Sequence, residues 1–208
     1  MLEPNWNYII KGKSIIIKPI TLSDISDKYV SWLNDKELNE FLEIRHSKQN
    51  KKTIVSYINS LRKRANCDML AIFNKKDNLH IGNLTITSYN SNNNQSVDFG
   101  LMIADESARA KGVGAIAHIM FLKFIFSFHE INRINANVAS ENIIASRTLE
   151  SIGYVKEGVR RECFPLANGT KCDVLYYGIL KREWLNKQDK LSIFLKNIEF
   201  KKNESRCN

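Results

Sequence analysis

Arg109-Ala110-Lys111-Gly112-Val113-Gly114 stands between a strand-like stretch, Val97-Asp98-Phe99-Gly100-Leu101-Met102-Ile103, and a helix-length apolar run, Val113 to Phe128. A helix start leaves several backbone N–H groups without partners and carries the positive end of the helix dipole, so a strand, glycine turn and helix in that order attract phosphate. The two glycines let the backbone approach a diphosphate closely, and Arg109 and Lys111 add full positive charge. Two better-known versions are excluded by spacing: there is no G-x-x-x-x-G-K-[ST], and no G-x-G-x-x-G with an acidic residue at the distance a dinucleotide ribose needs. Such a short turn also arises from plain chain geometry, so the sequence downstream has to decide.

Downstream, Ile134 to Val138 reads as a strand leading into Asn142-Ile143-Ile144-Ala145-Ser146-Arg147-Thr148-Leu149-Glu150-Ser151-Ile152-Gly153-Tyr154, then Glu157-Gly158. R-x-x-G-x-G after a strand, with N-x-x-[SA] some thirty residues later opening a helix that ends L-E-x-x-G-[FY], resembles the GNAT superfamily of acetyl-CoA-dependent N-acetyltransferases. Gly158, Asn168 to Asp173, Tyr176 and Tyr177 are similar to the branch holding the Rim-type ribosomal-protein N-terminal acetyltransferases and the acetyltransferases of surface-polysaccharide pathways. The resemblance covers roughly residues 9 to 182. It divides the chain into an acetyltransferase domain at 1–182 and an extension at 183–208.

The resemblance implies an α/β fold: a mixed, mostly antiparallel central sheet with helices on both faces and one parallel pair that splays apart to admit the pantetheine arm. Acetyl-CoA is then held by backbone groups at Leu101, Met102 and Ile103, by the turn Arg109, Ala110, Lys111, Gly112, Val113 and Gly114, and by Asn142 and Ser146. Asp98, two before Gly100, falls where relatives often place a Glu that accepts the amine proton; pairing with a nearby Lys or Arg is the plainer reading of an acid on a strand. Asn142 is read both as a helix cap and as a group facing the pantetheine or acceptor. Positions where some relatives carry a Ser or Tyr proton donor hold Ala145 and Leu149 here. Ser146, Tyr154, Tyr176, Tyr177 and water remain open as the acid, and a CoA thiol leaves readily as thiolate without one.

Composition sets bounds around this. A chain of 208 residues, 43% hydrophobic, suits one compact domain. Cys67, Cys163, Cys172 and Cys207 show no C-x-x-C spacing and no metal-like pairing with His46, His80, His118 or His129, so reduced thiols in a cytoplasmic protein and no metal are expected. Met1 to Asn5 lacks the features of a signal peptide, and Val113 to Phe128 is too short for a membrane span and contains His118 and Lys123. The net charge of +9 favours an anionic partner such as acetyl-CoA. It is spread without interleaved aromatics, so neither nucleic acid nor a membrane is expected as a partner.

Along the chain, Tyr8 to Ile10 and Ser14 to Lys18 predict a hairpin; Thr21 with Asp24, and Asn34 with Glu37, resemble capping devices before helices carrying Leu22, Ile25, Tyr29 and Trp32 and then a short segment through Phe41. Lys48 to Arg64 predicts a further helix. Met69 to Phe73, Ile81 to Tyr89 and Ser96 to Ile103 predict consecutive antiparallel strands, and the crossover through Val113 to Phe128 predicts parallel pairing of the next. The extension predicts an amphipathic helix against the core or a second subunit, in a monomer or homodimer.

His118 is expected to be a satisfied core histidine. Trp32 and Arg45 fall where this fold shapes its acceptor pocket, with Arg45 able to grip a phosphate or carboxylate. A lysine amine with a pKa of about 10.4 is neutral at pH 7 in less than roughly one molecule in a thousand, an alpha-amine near 7.7 to 8.0 in roughly one in ten. Sugar amines are also weakened by neighbouring oxygens. The segment Trp32-Leu33-Asn34-Asp35-x-Glu37 resembles that of polysaccharide-pathway members, and the resemblance implies direct acetyl transfer to the primary amine of an amino-sugar nucleotide, with a protein N-terminal alpha-amine or a non-catalytic CoA-binding module as alternatives.

Overall fold

The computed structural model describes residues 6–64, 66–90, 95–109, 111–128 and 130–203. The chain opens with the hairpin β1 (Tyr8–Lys11) and β2 (Ile15–Pro19), then α1 (Asp27–Asn34), α2 (Lys36–Asn39) and α3 (Lys51–Lys63). Three antiparallel strands follow, β3 (Asp68–Asn74), β4 (His80–Asn90) and β5 (Ser96–Ile103), then α4 (Glu106–Arg109), α5 (Val113–Phe128), β6 (Arg133–Ala139) and α6 (Ile143–Ile152). The hairpin β7 (Val155–Pro165) and β8 (Lys171–Leu180), then α7 (Lys181–Lys187), α8 (Ser192–Leu195) and β9 (Glu199–Lys202) complete it. Among the described residues the strands form one sheet, ordered β7-β8-β6-β5-β4-β3-β2-β1-β9, antiparallel throughout except for β5 beside β6.

Each face of the sheet has its own core. One joins Ile17, Leu84, Val97, Ile134 and Ile179 to Phe121 and Ile125 of α5; the other joins Ile20, Met69 and Ala71 to Tyr29 of α1 and Ile54 and Ile58 of α3. β3 lies under both, which is why it reads as an unbroken apolar run. The same logic explains α5, apolar all round because it is enclosed: Lys123, its one charged side chain, reaches out to the Leu195 carbonyl at 3.0 Å.

Three expectations are corrected. The Thr21–Asp24 device forms, Asp24 Oδ2 accepting the Thr21 N–H at 2.8 Å and its hydroxyl at 2.7 Å, but it closes only a 3-10 turn, and α1 restarts behind Ser26 as cap. Asn34 does not cap α2; Asp35 does, its Oδ1 accepting from Glu37 and Leu38, while Asn34 ties to Gln49. The extension is not one helix. Trp184 is fully buried on α7, and β9 pairs antiparallel with β1, placing Phe200 against Phe124 at 5.4 Å. The apolar residues that suggested a helix serve two short helices and a strand, leaving Ile193 and Phe194 exposed.

Candidate functional site

β5 and β6 pair over three rungs, Ser96 with Arg133, Val97 with Ile134 and Asp98 with Asn135, and then part. Beyond Asp98, β5 stays paired with β4 as far as Ile103, and β6 stays paired with β8 as far as Ala139, so a gap opens between two continuing strands. Buried Val97 and Ile134 hold the closed end. Backbone alternation fixes which groups face the gap. Gln95 O accepts from Asn132 and Arg133 on the β6 side, whereas Asp98 O accepts from Thr87 Oγ1 and Ala104 N donates to Ile81 O on the β4 side. The odd-numbered residues Phe99, Leu101 and Ile103 therefore turn their N–H and C=O groups into the gap. Met102 turns its own toward β4, which removes it from the expected trio.

The mouth of the gap meets the start of α5. Gly112 has φ of +69°, a left-handed conformation that favours glycine, and its carbonyl accepts the Ile116 N–H at 3.2 Å. The N–H groups of Val113, Gly114 and Ala115 form the open first turn. A Cβ on Gly112 would have no neighbour within 4 Å, and one on Gly114 would sit 3.6 Å from Ile103 Cγ1 and 3.8 Å from Leu101 Cδ2. Packing thus does not demand glycine at 114. Arg109 and Lys111 are exposed beside it and pair with no carboxylate among the described residues. Ala110 lies outside the described residues. Opposite, Asn142 caps α6, its Oδ1 accepting from Ala145 N at 3.2 Å, which leaves its amide hydrogens available.

Residues 14–155 match the acetyltransferase (GNAT) domain family. The chain belongs to that family. Its domain is accordingly that of an acyltransferase. YdaF of Bacillus subtilis (strain 168), provisionally named a ribosomal N-acetyltransferase, is 33% identical over 91 residues, 44% of this chain and about half (49%) of that protein's length. The spermidine N-acetyltransferase of Vibrio cholerae, in complex with CoA and spermine, superposes with a TM-score of 0.73 at 20% identity, over 83% of this chain and 99% of that one. RimL, a ribosomal L7/L12 alpha-N-protein acetyltransferase in complex with coenzyme A, gives 0.72 at 17% identity over 83% and 97%. Among the described residues no helix is long and apolar enough to cross a membrane.

In this GNAT chain Asp98 sits at the vertex of the gap. Its side chain shares a face with Met102, away from α5, and among the described residues it has no hydrogen-bond or ion-pair partner, so the plainer reading of a paired surface acid does not hold. The acid candidates are less free. Tyr154 is buried, its hydroxyl 2.8 Å from His118 Nε2; burial pushes the His118 imidazole down to about 3 and the Tyr154 phenol well up. His118 is thus a neutral core histidine against Phe99. Tyr177 donates to Glu150 Oε1 at 2.9 Å, its phenol raised by burial first and by the Glu150 contact second. Ser146 is buried and bonds back to the Asn142 carbonyl at 3.3 Å.

Two expected acceptor residues are occupied otherwise. Trp32 is only 7% exposed and packs on Tyr29 and His80, so it is a core residue behind the pocket and not a surface offered to an acceptor. Arg45 stacks on Phe164 at 4.2 Å and donates to the Leu42 and Pro165 carbonyls, tying the segment after α2 to the β7–β8 hairpin. Its charge fixes a wall. Missed altogether were Arg133 and Asn135, which share the Asp98 face of the sheet with Tyr176; the period-two alternation of Arg133-Ile134-Asn135-Ala136-Asn137 carried that signal.

Proposed function

We propose that the acceptor is the primary amine of an amino-sugar nucleotide, acetylated directly in the cytosol with Asp98 as base. The observation that carries the reading is the Asp98 carboxylate at the vertex of the gap, without a partner among the described residues. A weakly basic sugar amine needs only a modest base, and Asp, shorter than Glu, suits transfer through one water. The exposed Arg160, whose Nη1 lies 3.4 Å from the Tyr176 hydroxyl on the same face, favours an acceptor bearing phosphate over a polycation. Acetyl-CoA, when bound, supplies the activated thioester. Backbone N–H groups of Val113, Gly114 and Ala115, with Arg109 and Lys111, hold its diphosphate; Leu101 and Ile103 line its arm and donate to the carbonyl oxygen; Asn142 faces it across the gap.

The likeness to YdaF and RimL supports a protein N-terminal alpha-amine as the second reading, and Ala145 and Leu149 in place of proton donors support a third, a CoA-binding module without turnover. A panel of UDP-linked amino sugars, peptides with free N-termini and spermidine, read by thiol release and product mass, tests all three. Acetylated sugar nucleotide is expected. Turnover with peptides alone overturns the acceptor, and CoA binding with no turnover overturns the reaction.

A further inference from the structure

Asp98 and Asn135 form the last rung before β5 and β6 part, so their side chains stand on one face with stems about 5 Å apart. Asn135 is held from behind. Arg133 Nε donates to Asn135 Oδ1 at 2.6 Å, while the rest of its guanidinium forms a two-pronged bridge to the Glu157 carboxylate, 3.1 Å from Nη1 to Oε1 and 2.5 Å from Nη2 to Oε2. The bridge crosses Gly178, the β8 residue paired with Asn135. A Cβ there would run into Arg133 Nη2 and lie 2.8 Å from Glu157 Oε1, so glycine makes room for it. With its oxygen occupied by a guanidinium, which only donates, the Asn135 amide cannot flip without losing that bond. Its two hydrogens are the groups left over. No direct bond joins them to Asp98, and neither these hydrogens nor the Asp98 carboxylate has another partner among the described residues, which leaves both to water.

We propose that Asn135, braced by Arg133 and Glu157 over Gly178, is a positioning residue that holds the water through which Asp98 takes the amine proton. The step moves one proton from the acceptor nitrogen to that water while the water passes one to Asp98. This rests on Asp98 as base, so the test separates the two. With the fastest acceptor of the panel, Asn135→Leu is expected to lower kcat about ten- to a hundredfold, the worth of one hydrogen bond involving a charged group, with the KM for acetyl-CoA unchanged. Asn135→Asp sets a second carboxylate beside the first and moves the acidic limb of kcat/KM to higher pH. Gly178→Ala, by displacing the bridge, reproduces the Asn135→Leu loss. The assigned Asn135 side-chain amide resonance at pH 7, which needs no acceptor, is expected to move between the native chain and Asp98→Asn, because the Arg133–Glu157 bridge behind it is the same in both. If Asp98→Asn leaves transfer unchanged, the base and this inference fall together. If Asp98→Asn is slow while Asn135→Leu stays within twofold of native, or the amide resonance ignores Asp98, the inference alone falls.

Discussion

Replacing Gly114 by alanine tests the cradle apart from the fold. The new Cβ would meet Ile103 Cγ1 at 3.6 Å and Leu101 Cδ2 at 3.8 Å, ordinary contacts that cost the fold nothing. Alanine in a helix gains up to about 1 kcal/mol over glycine, and 1 kcal/mol moves the Tm of a domain this size by about 2–4 °C, so Tm should hold or rise. Binding should suffer. The methyl enters the space beside the open N–H groups of the first turn, and losing one hydrogen bond to a charged phosphate costs about 1.5–3 kcal/mol, a ten- to hundredfold weaker Kd. Titration calorimetry with CoA, beside a thermal melt, reads both. Gly112→Ala is the poorer probe, because its φ of +69° strains any side chain by about 1–2 kcal/mol and lowers Tm as well. An unchanged Kd in Gly114→Ala would place the diphosphate elsewhere and refute the reasoning.

Asp98→Asn should leave CoA affinity intact and slow thiol release by about 10²–10⁴, the usual weight of a general base; a native rate would remove Asp98 from the chemistry. His118, pushed down to about 3 from 6.5, binds its proton in the unfolded chain before the folded one, so its contribution to stability is whole above pH 6.5 and is lost as pH falls toward 3. Denaturant melts should therefore show a slope of up to about 1.4 kcal/mol per pH unit between pH 6 and 4 that the double variant His118→Leu, Tyr154→Phe lacks. Arg45→Ala, which frees the segment after α2 from Phe164 and Pro165, should cost no more than about 1 kcal/mol in stability yet raise the acceptor KM with the acetyl-CoA KM unchanged; equal rises in both would mean a global loosening.

Much of the frame was legible in local sequence because its causes are local. The glycine turn and enclosed helix at 112–128, the Asn142 cap and the strand at 96–103 follow from backbone conformation and periodicity within a few residues, and the strand-helix-strand order obliged β5 and β6 to run parallel. Capping at Asn34 failed because Asp35 competes for the same N–H groups one residue on, a contest that spacing alone does not resolve. The extension failed because a strand and two short helices share apolar residues that also match one helical stripe.

What the sequence by itself determined is that a glycine turn opening an apolar helix, an adjoining parallel pair and an acid two residues before Gly100 must occur together. What only the tertiary structure decided is how many rungs pair before the gap opens, which backbone groups look into it, and which side chains are already taken. Trp32 is spent on His80, Arg45 on Phe164, and Arg133 on holding Asn135 beside Asp98. The anchors of these contacts are long-range: Arg133 meets Glu157 24 positions on, and Arg45 meets Pro165 120 positions on. Their partners are chosen by burial and by sheet register, which only the assembled chain possesses.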